Sequence, residues 1–484
     1  MAERTAVAPP VPALAHVPSP ARARLELLVV GVGALTVSLT QSLLVPVLPL
    51  LPGKLHHSMA DVEWLLTATL LVGAVAVPLF GRLGDMFGKR LMLLVALGLL
   101  TAGSLLDAFT DDLGLLIVGR AIQGASLAAI PLGISLLSTQ LPPARVPSAI
   151  SLISSMLGVG GALGLPLAGV VAEHADYHVL FWITAGVGAA SFLATVVVVP
   201  EAAGKAGGRV DFVGGALLTA TLVTLLLPLA QGSSWGWTSG RTLGLLAASV
   251  VLALALVATQ LRIRSPLVDV RASARRPVLL TNVASLMFGF ALFASFIGTA
   301  AYVQAPERTG YGYGSSVVVA GLCLVPSGLL MLLLAPLAAH LIGRIGAHRT
   351  LALGAAIVGL GWLWRIALTS SIWDVVIGGT IVGAGVGIGY AAMPALINGN
   401  SPRSELAAAN GLNSLCRSLG SSLASAIGGS LLTVSTIAVA GIAYPSLTAY
   451  RWLFAVCIVA SVGAAGVALC IRSAPHPPGA EVSG

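Results

Sequence analysis

Charged and amide side chains set inside long apolar runs are the groups of this chain with chemistry to offer. Arg120 and Gln123 stand three apart in the run 113–140, so on a helix they share a face. Arg417 stands eleven residues into the run 406–438, after Asn410 and Asn413 and before Ser418, Ser421 and Ser422. A guanidinium at such depth in hydrocarbon is costly unless it faces protein or water, so each marks a contact between helices or a polar cavity. For Arg120, reaching to the nearer interface is a further option. A third group lies between two apolar runs: Gly81-Arg82-Leu83-Gly84-Asp85-Met86-Phe87-Gly88-Lys89-Arg90. Its glycines permit turns and close backbone approach. Asp85 can pair with a helix N-terminus or a neighbouring cation, and Lys89 and Arg90 open the next run. The chemistry on offer is charge pairing and hydrogen bonding that hold or release a packed state. The runs contain no nucleophile with a base and no metal-ligand spacing, so an embedded enzyme has no support and no cofactor or metal is called for.

The elements that must position these groups follow from composition. With 57% hydrophobic and 9% charged residues among 484, and a mean hydropathy of +0.98, the chain has too few charges for a soluble protein of its length. Runs of roughly 20 apolar residues cross about 30 Å of hydrocarbon. They occur near 27–51, 64–80, 91–110, 113–140, 148–172, 179–200, 212–231, 242–261, 278–304, 315–342, 350–369, 375–399, 406–438 and 452–471. The expected fold class is an all-α polytopic membrane protein of 14 transmembrane helices, arranged six, two and six.

Basic residues are retained on the cytoplasmic side. With the N-terminus inside, 18 of the 25 Lys and Arg fall in inner segments. Five fall outside (Lys54, Arg241, Arg308, Arg365 and Arg451), and Arg120 and Arg417 lie within spans. Miscounting one early span would reverse every later loop and spoil that asymmetry. Both termini are therefore expected in the cytoplasm of a cell bounded by this inner membrane. The net charge of +8 belongs to loops beside lipid, not to a nucleic-acid surface, and the chain is expected to be a monomer.

The expected divisions are a disordered cytoplasmic tail at 1–24, a six-helix bundle at 25–200, a two-helix insertion with basic flanking loops at 201–277, a second six-helix bundle at 278–472 and a cytoplasmic tail at 473–484. The bundles echo one another. Gly343-Arg344-Ile345-Gly346-Ala347-His348-Arg349 stands where 81–90 stands, with Gly346 matching Gly88; Gly387 and Pro394 echo Gly124 and Pro131, at offsets of 258 to 263 residues. Duplicated halves about a central site are a common plan for secondary transporters.

These motifs resemble the major facilitator superfamily. The string 81–90 is similar to its loop signature of Gly, any residue, Leu, a small residue, Asp, two residues, Gly and two basic residues, with Met86 where Arg is common. The resemblance implies that Gly81, Asp85, Gly88, Lys89 and Arg90 form a cytoplasmic gating latch. Arg120-Ala121-Ile122-Gln123-Gly124 resembles the fourth-helix motif, which implies a coupling or cavity-organising role for Arg120 and Gln123. Residues 405–420, and Tyr302, Gln304, Gly310-Tyr311, Gly321 and Pro326, are similar to the fourteen-helix drug:proton antiporter branch. The fifth run carries Gly160, Gly164, Pro166 and Gly169, small and bending residues suited to tight helix packing. Exporters of the family have Gly-Pro there, whereas Leu165 precedes Pro166 here. They also carry an Asp in the first helix where this chain has Thr40. The remaining protonatable groups, Asp107, Asp85 and His340, are expected near membrane faces as structural or solvated residues.

Polarity within apolar helices nominates Gln41, Gln123, Asn282, Gln304 and Arg417 as cavity lining. Phe288, Phe293 and Phe296 offer a stacking surface, with packing the competing role for each. The resemblance implies a secondary active transporter that exports a drug-like or antibiotic-like hydrophobic small molecule by alternating access, with protons as the coupling partner. Two buried arginines and no central acid suit a neutral or anionic substrate better than a dication. The alternative is a facilitator or importer of a metabolite or lipid on the same fold, without proton antiport.

Overall fold

The computed structural model describes residues 20–142, 145–201, 210–263, 266–439 and 442–471. The expectations for the two tails, for most of 201–211, and for Arg4, Lys205, Arg209, Arg264 and Arg472 lie outside those residues.

In hydrocarbon a helix satisfies every backbone N–H and C=O within its own segment, so long apolar runs fold that way. The first six are α1 (Pro20–Leu43), α2 (Trp64–Phe87), α3 (Lys89–Ala108), α4 (Leu113–Gln140), α5 (Val146–His174) and α6 (His178–Val198). Then come α7 (Phe212–Trp235), α8 (Gly240–Gln260) and α9 (Arg276–Gln304). The bent pair Val317–Leu333 and Ala335–Ile345 is α10. The last are α11 (Ala347–Ala367), α12 (Ile372–Asn400), α13 (Leu406–Val434) and α14 (Leu447–Leu469).

Among the described residues, 12 helices are long and apolar enough to cross a membrane, and α10 makes 13 if its halves, which meet at 45°, form one span. Pro336, in the first turn of the second half, accounts for the bend, because it donates no hydrogen bond and its ring crowds the preceding turn. At 29 residues α13 is as long as any, yet its asparagines, serines and Arg417 keep it out of that group.

The helices depart from the apolar runs in four places, the first being α2, which continues past the run 64–80 to Phe87, so that most of 81–90, expected between the runs, is helix. Residues 20–24, expected in the tail, form the first turn of α1, which stops at Leu43; Pro46 and Pro49 follow, and the chain continues as short helices at Leu48–Leu50 and Leu51–Leu55. The run 406–438 ends as a helix at Val434. An antiparallel hairpin replaces its tail, β1 (Thr436–Val439) on β2 (Ile442–Pro445), with Ile437 opposite Tyr444. Thr436, Ile437, Val439 and Ile442 are β-branched and suit a pleated surface, so the fold is helical with this one hairpin among the described residues. Finally, Arg365, counted above with the outer loops, lies inside the last turn of α11 and is buried.

Buried apolar residues of α1–α6 gather in two clusters, and those of α9–α14 in one large cluster. Two seams join these groups: α2 against α13, and α5 against α10 and α12. Across the first seam lies α7, which packs on both α2 and α13 and buries Leu218, Leu222 and Leu226 with Ala74, Leu267 and Leu415. A polar knot sets its position. Asp211 accepts from Gly214 N (2.7 Å), Gln260 Nε2 (2.6 Å) and Leu267 N (3.3 Å), and Gln260 Oε1 accepts from Val268 N (3.0 Å).

Candidate functional site

The 81–90 motif sits where α2 ends and α3 begins. The chain reverses at Gly88 with φ of 129°, a conformation that side-chain-bearing residues rarely adopt. Asp85, in the last turn of α2, is buried and accepts from Ala408 N (2.8 Å) and Ala407 N (3.2 Å). Those amides belong to the first turn of α13, whose orphan donors and dipole both favour an anion. Lys89 Nζ stands 3.6 Å from Asp85 Oδ1, the two side chains being 5% and 0% exposed. Gly81 makes the approach possible, because a Cβ there would lie 2.6 Å from the Ala407 carbonyl oxygen. Arg90 does not join this clamp. Its Nη2 donates to Val196 O (2.7 Å) and its backbone N–H to Glu201 Oε1 (3.1 Å), which fastens α3 to the end of α6.

Both glycines are therefore testable. Gly81→Ala is expected to overpack the α2–α13 seam at about 1–3 kcal/mol, and Gly88→Ala to add backbone strain of about 1–3 kcal/mol. Fluorescence-monitored melting of the purified protein checks both. Unchanged melting in the two variants would remove the close approach and the left-handed turn from the account of this end.

A second tie at the same end was not legible in the sequence. Asn398 Nδ2 of α12 donates to Ser138 Oγ of α4 (2.9 Å), and Asn410 Nδ2 of α13 donates to Asn398 Oδ1 (2.6 Å). Beside it, a cleft of about 260 Å³ opens between Pro78 and Arg82 of α2, the segment 266–273, and Glu405 and Ala408 ahead of and within α13.

Toward the opposite end of the helices, Arg120, Gln123 and Asp107 form a chain of contacts. Arg120 Nη1 donates to Gln123 Oε1 (2.6 Å), and Gln123 Nε2 donates to Asp107 Oδ2 (2.8 Å). Arg120 also reaches the Leu65 and Thr40 carbonyls, each at 3.5 Å, and all three side chains of the chain are buried. Asp107 lies near the end of α3, as its position in the run suggests, but it is buried against α4 and not solvated. The signal was paired spacing: Gly103 and Asp107 stand four apart on α3, as do Gly119 and Gln123 on α4. A Cβ at Gly103 would meet the Gly119 carbonyl oxygen at 2.6 Å, so the helices cross at the glycines and the polar pairs face each other.

The other nominated residues separate. Arg417 is half-buried midway along α13, with its guanidinium 4.8 Å over the Tyr390 ring and Nη2 donating to Ser414 Oγ (2.9 Å). Gln41, Phe293 and Phe296 are also half-buried, and Phe296 lies against Gly161 of α5. Asn282 and Phe288 are buried in the α9 core; Asn413 Nδ2 donates to Asn282 Oδ1 (2.9 Å), and Phe288 packs on Gly389. Gln304 does not join them: it is exposed and its amide turns back to the Ala300 carbonyl (3.0 Å). On α5, Gly160 and Gly164 meet Ser38 and Ser42 of α1, whereas Pro166 and Gly169 meet Gly321 and Val318 of α10.

Comparison with known proteins fits this geometry. The sequence profile described as Major Facilitator Superfamily matches residues 30–306 and 279–484. The Tetracenomycin C resistance and export protein of Streptomyces glaucescens is 28% identical over 416 residues, 84% of this chain and 75% of that protein. The Multidrug resistance protein Stp of Mycobacterium tuberculosis is 25% identical over 84% of this chain and 75% of its own length. The Probable actinorhodin transporter of Streptomyces coelicolor is 27% identical over 79% and 68%. In fold, the chain is similar to the crystal structure of the human organic anion transporter MFSD10 (TETRAN), with a TM-score of 0.66 over 92% of this chain and 99% of that one at 14% identity. A multi-pass helical architecture and a profile match along nearly its whole length together establish that the chain belongs to the major facilitator superfamily.

Proposed function

We propose that this transporter exports a hydrophobic, neutral or anionic small molecule by alternating access, driven by protons. In this reading α13 is the fourteenth span despite its polarity, and the helices divide as six, two and six, with both termini in the cytoplasm and 81–90 as the cytoplasmic latch. The two six-helix halves rock about a midplane site, and α7 with α8 covers the seam that they open. The observation that carries the reading is the Asp85 clamp. It joins α2 to the first turn of α13, 322 and 323 residues away, and so couples the two halves at one end. Support for the substrate class comes from Arg417, a half-buried guanidinium midway along α13 with no carboxylate bound among the described residues.

Everted membrane vesicles carrying the protein, with and without an imposed pH gradient, test this against tetracenomycin C, actinorhodin and a dicationic dye. Gradient-driven uptake of either antibiotic supports the reading, and equal uptake without the gradient overturns the proton coupling. Arg417→Ala is expected to weaken an anionic substrate by about 1.5–3 kcal/mol, the worth of a charge-assisted hydrogen bond, and a neutral one far less. A dication carried equally well by Arg417→Ala and the parent protein would overturn the substrate class. Thr40, in place of a first-helix acid, favours the second reading, an uncoupled facilitator, which the gradient-free vesicles would reveal.

A further inference from the structure

We propose that Asp107 is the group that binds and releases the coupling proton, with Gln123 and Arg120 as the device that sets its charge; this rests on the proton-driven reading above. The buried acids of the described membrane helices are Glu26, Asp85 and Asp107. Glu26 lies in the second turn of α1 beside Arg22, whose Nε is 3.3 Å away. Asp85 is committed to Lys89 and two amides of α13. Glu26 also lacks a hydrogen bond at both oxygens, but only Arg22, a residue half exposed at the helix start, stands by it; at Asp107, Oδ2 accepts from Gln123 while Oδ1 has no hydrogen-bond partner, and neither has Nη2 of the fully buried Arg120 at the far side of that amide.

Acid and base are thus joined through one amide without touching as an ion pair, and each keeps an open site. Two forces of opposite sign act on such a carboxyl. Loss of water favours its neutral form, and an approaching guanidinium favours its anion. A small slide of α4 along α3 that brings Nη2 onto Oδ1 makes the ion pair and expels a proton. The reverse slide leaves Oδ1 to take a proton from water on that side of the protein. The step balances as a proton transfer: an O–H bond of a hydronium ion breaks as the carboxyl O–H forms, and on release the carboxyl O–H breaks as a water takes the proton, while the guanidinium contact offsets the anion's charge.

The groups facing Asp107 are few. They are Arg120 and Gln123 on α4 and, from the turn before α6, Tyr177, whose hydroxyl donates to Asp111 (2.8 Å). A void of about 10 Å³, about the size of one water, adjoins Arg120 between Thr40, Leu44, Phe181 and Thr184. The internal repeat sharpens the assignment. Arg365 of α11 stands 258 residues after Asp107, the same offset that relates Gly346 to Gly88, and at the offset of 263 that relates Gly387 and Pro394 to Gly124 and Pro131 the residue matching Arg120 is Gly383. The matching register of the second half therefore holds a permanent cation with no acid–base pair, and proton exchange is left to the first half.

Infrared difference spectra of the purified protein, recorded as pH is raised, read the carboxyl directly. The parent protein is expected to show a protonated-carboxyl band that fades with rising pH and is lost in Asp107→Asn, which keeps the shape and an acceptor for Gln123. Gln123→Leu, which keeps the acid but cuts its link to Arg120, should shift the pH at which the band fades, and serves if the first variant is not recovered folded. In vesicles, Asp107→Asn should lose gradient-driven uptake of tetracenomycin C. A titrating band that persists in Asp107→Asn, or a Gln123→Leu band that fades at the parent's pH, overturns the proposal. If the parent carries no compound, the export reading fails, and the spectra still judge Asp107 on their own.

Discussion

Asp85→Ala is expected to release α2 from α13 and to move most molecules out of the state in which this end is closed. The substitution strands Lys89, whose ammonium is buried 3.6 Å from the carboxylate, and leaves the Ala407 and Ala408 amides without their acceptor. Removing one member of a buried ion pair costs about 3–5 kcal/mol. Each 1.4 kcal/mol is about a tenfold change in population, so the equilibrium should move by roughly a hundredfold or more. Spin labels at Phe87 and Arg403, both exposed and on either side of the clamp, read this as a distance. One short distance is expected in the parent protein and a longer, broader distribution in Asp85→Ala. Asp85→Asn should fall between, since it keeps an acceptor but not the charge. Lys89→Met added to Asp85→Ala should recover part of the short distance by removing the stranded cation, with the difference between single and double variants measuring their coupling. An unchanged distance in Asp85→Ala would show that other contacts hold this end, the Asn398–Ser138 and Asn410–Asn398 bonds first among them.

What could be read in advance was the part of the molecule that hydrocarbon dictates. Length and apolarity locate most helix ends to within a few residues, though by seven or eight at α1 and at the end of α2, and the glycine-punctuated motif announces Asp85 as a partner for a helix N-terminus. The identity of that N-terminus, more than 300 residues away, depends on which helices pack together. Spacing along one helix cannot disclose it. The same limit hid the tie from Ser138 to Asn398, which spans 260 residues. The surroundings of Asp107 were hidden for another reason. Counting residues from the inner end of α3 puts it near the far surface, but depth along a span is not exposure, and the crossing at Gly103 and Gly119 closes α4 over it. Arg365 was misplaced by the same count, since α11 continues to Ala367 and its last turn is covered by α9 and α14. Polarity alone overcounted the lining. Asn282 bonds within the core, and Gln304 turns back on its own helix at an exposed position.

Arg120→Leu is expected to be among the most damaging single changes, and Arg365→Met one of the mildest, although both remove a fully buried arginine. The difference lies in what each leaves behind. Without Arg120, the Gln123 carbonyl loses its donor, a buried group left unsatisfied at a cost of about 1–3 kcal/mol, and Asp107 loses its only nearby counter-charge among the described residues. Arg120→Lys should not rescue it, because one ammonium cannot span the Leu65 and Thr40 carbonyls and Gln123 as the guanidinium fork does. Arg365 has no carboxylate in ion-pair range among the described residues. Its guanidinium lies 4.6 Å over the Phe454 ring, and Nη1 donates to Thr299 Oγ1 (2.7 Å) while Nη2 has no partner. Exchanging an uncompensated buried charge for an apolar side chain of similar volume is often neutral or stabilising by about 1–4 kcal/mol. Melting of the purified variants should therefore fall steeply for Arg120→Leu and hold or rise for Arg365→Met. If Arg365→Met melts as low as Arg120→Leu, the aromatic faces and Thr299 supply as much as an acid would. The counter-charge would then no longer distinguish the two halves.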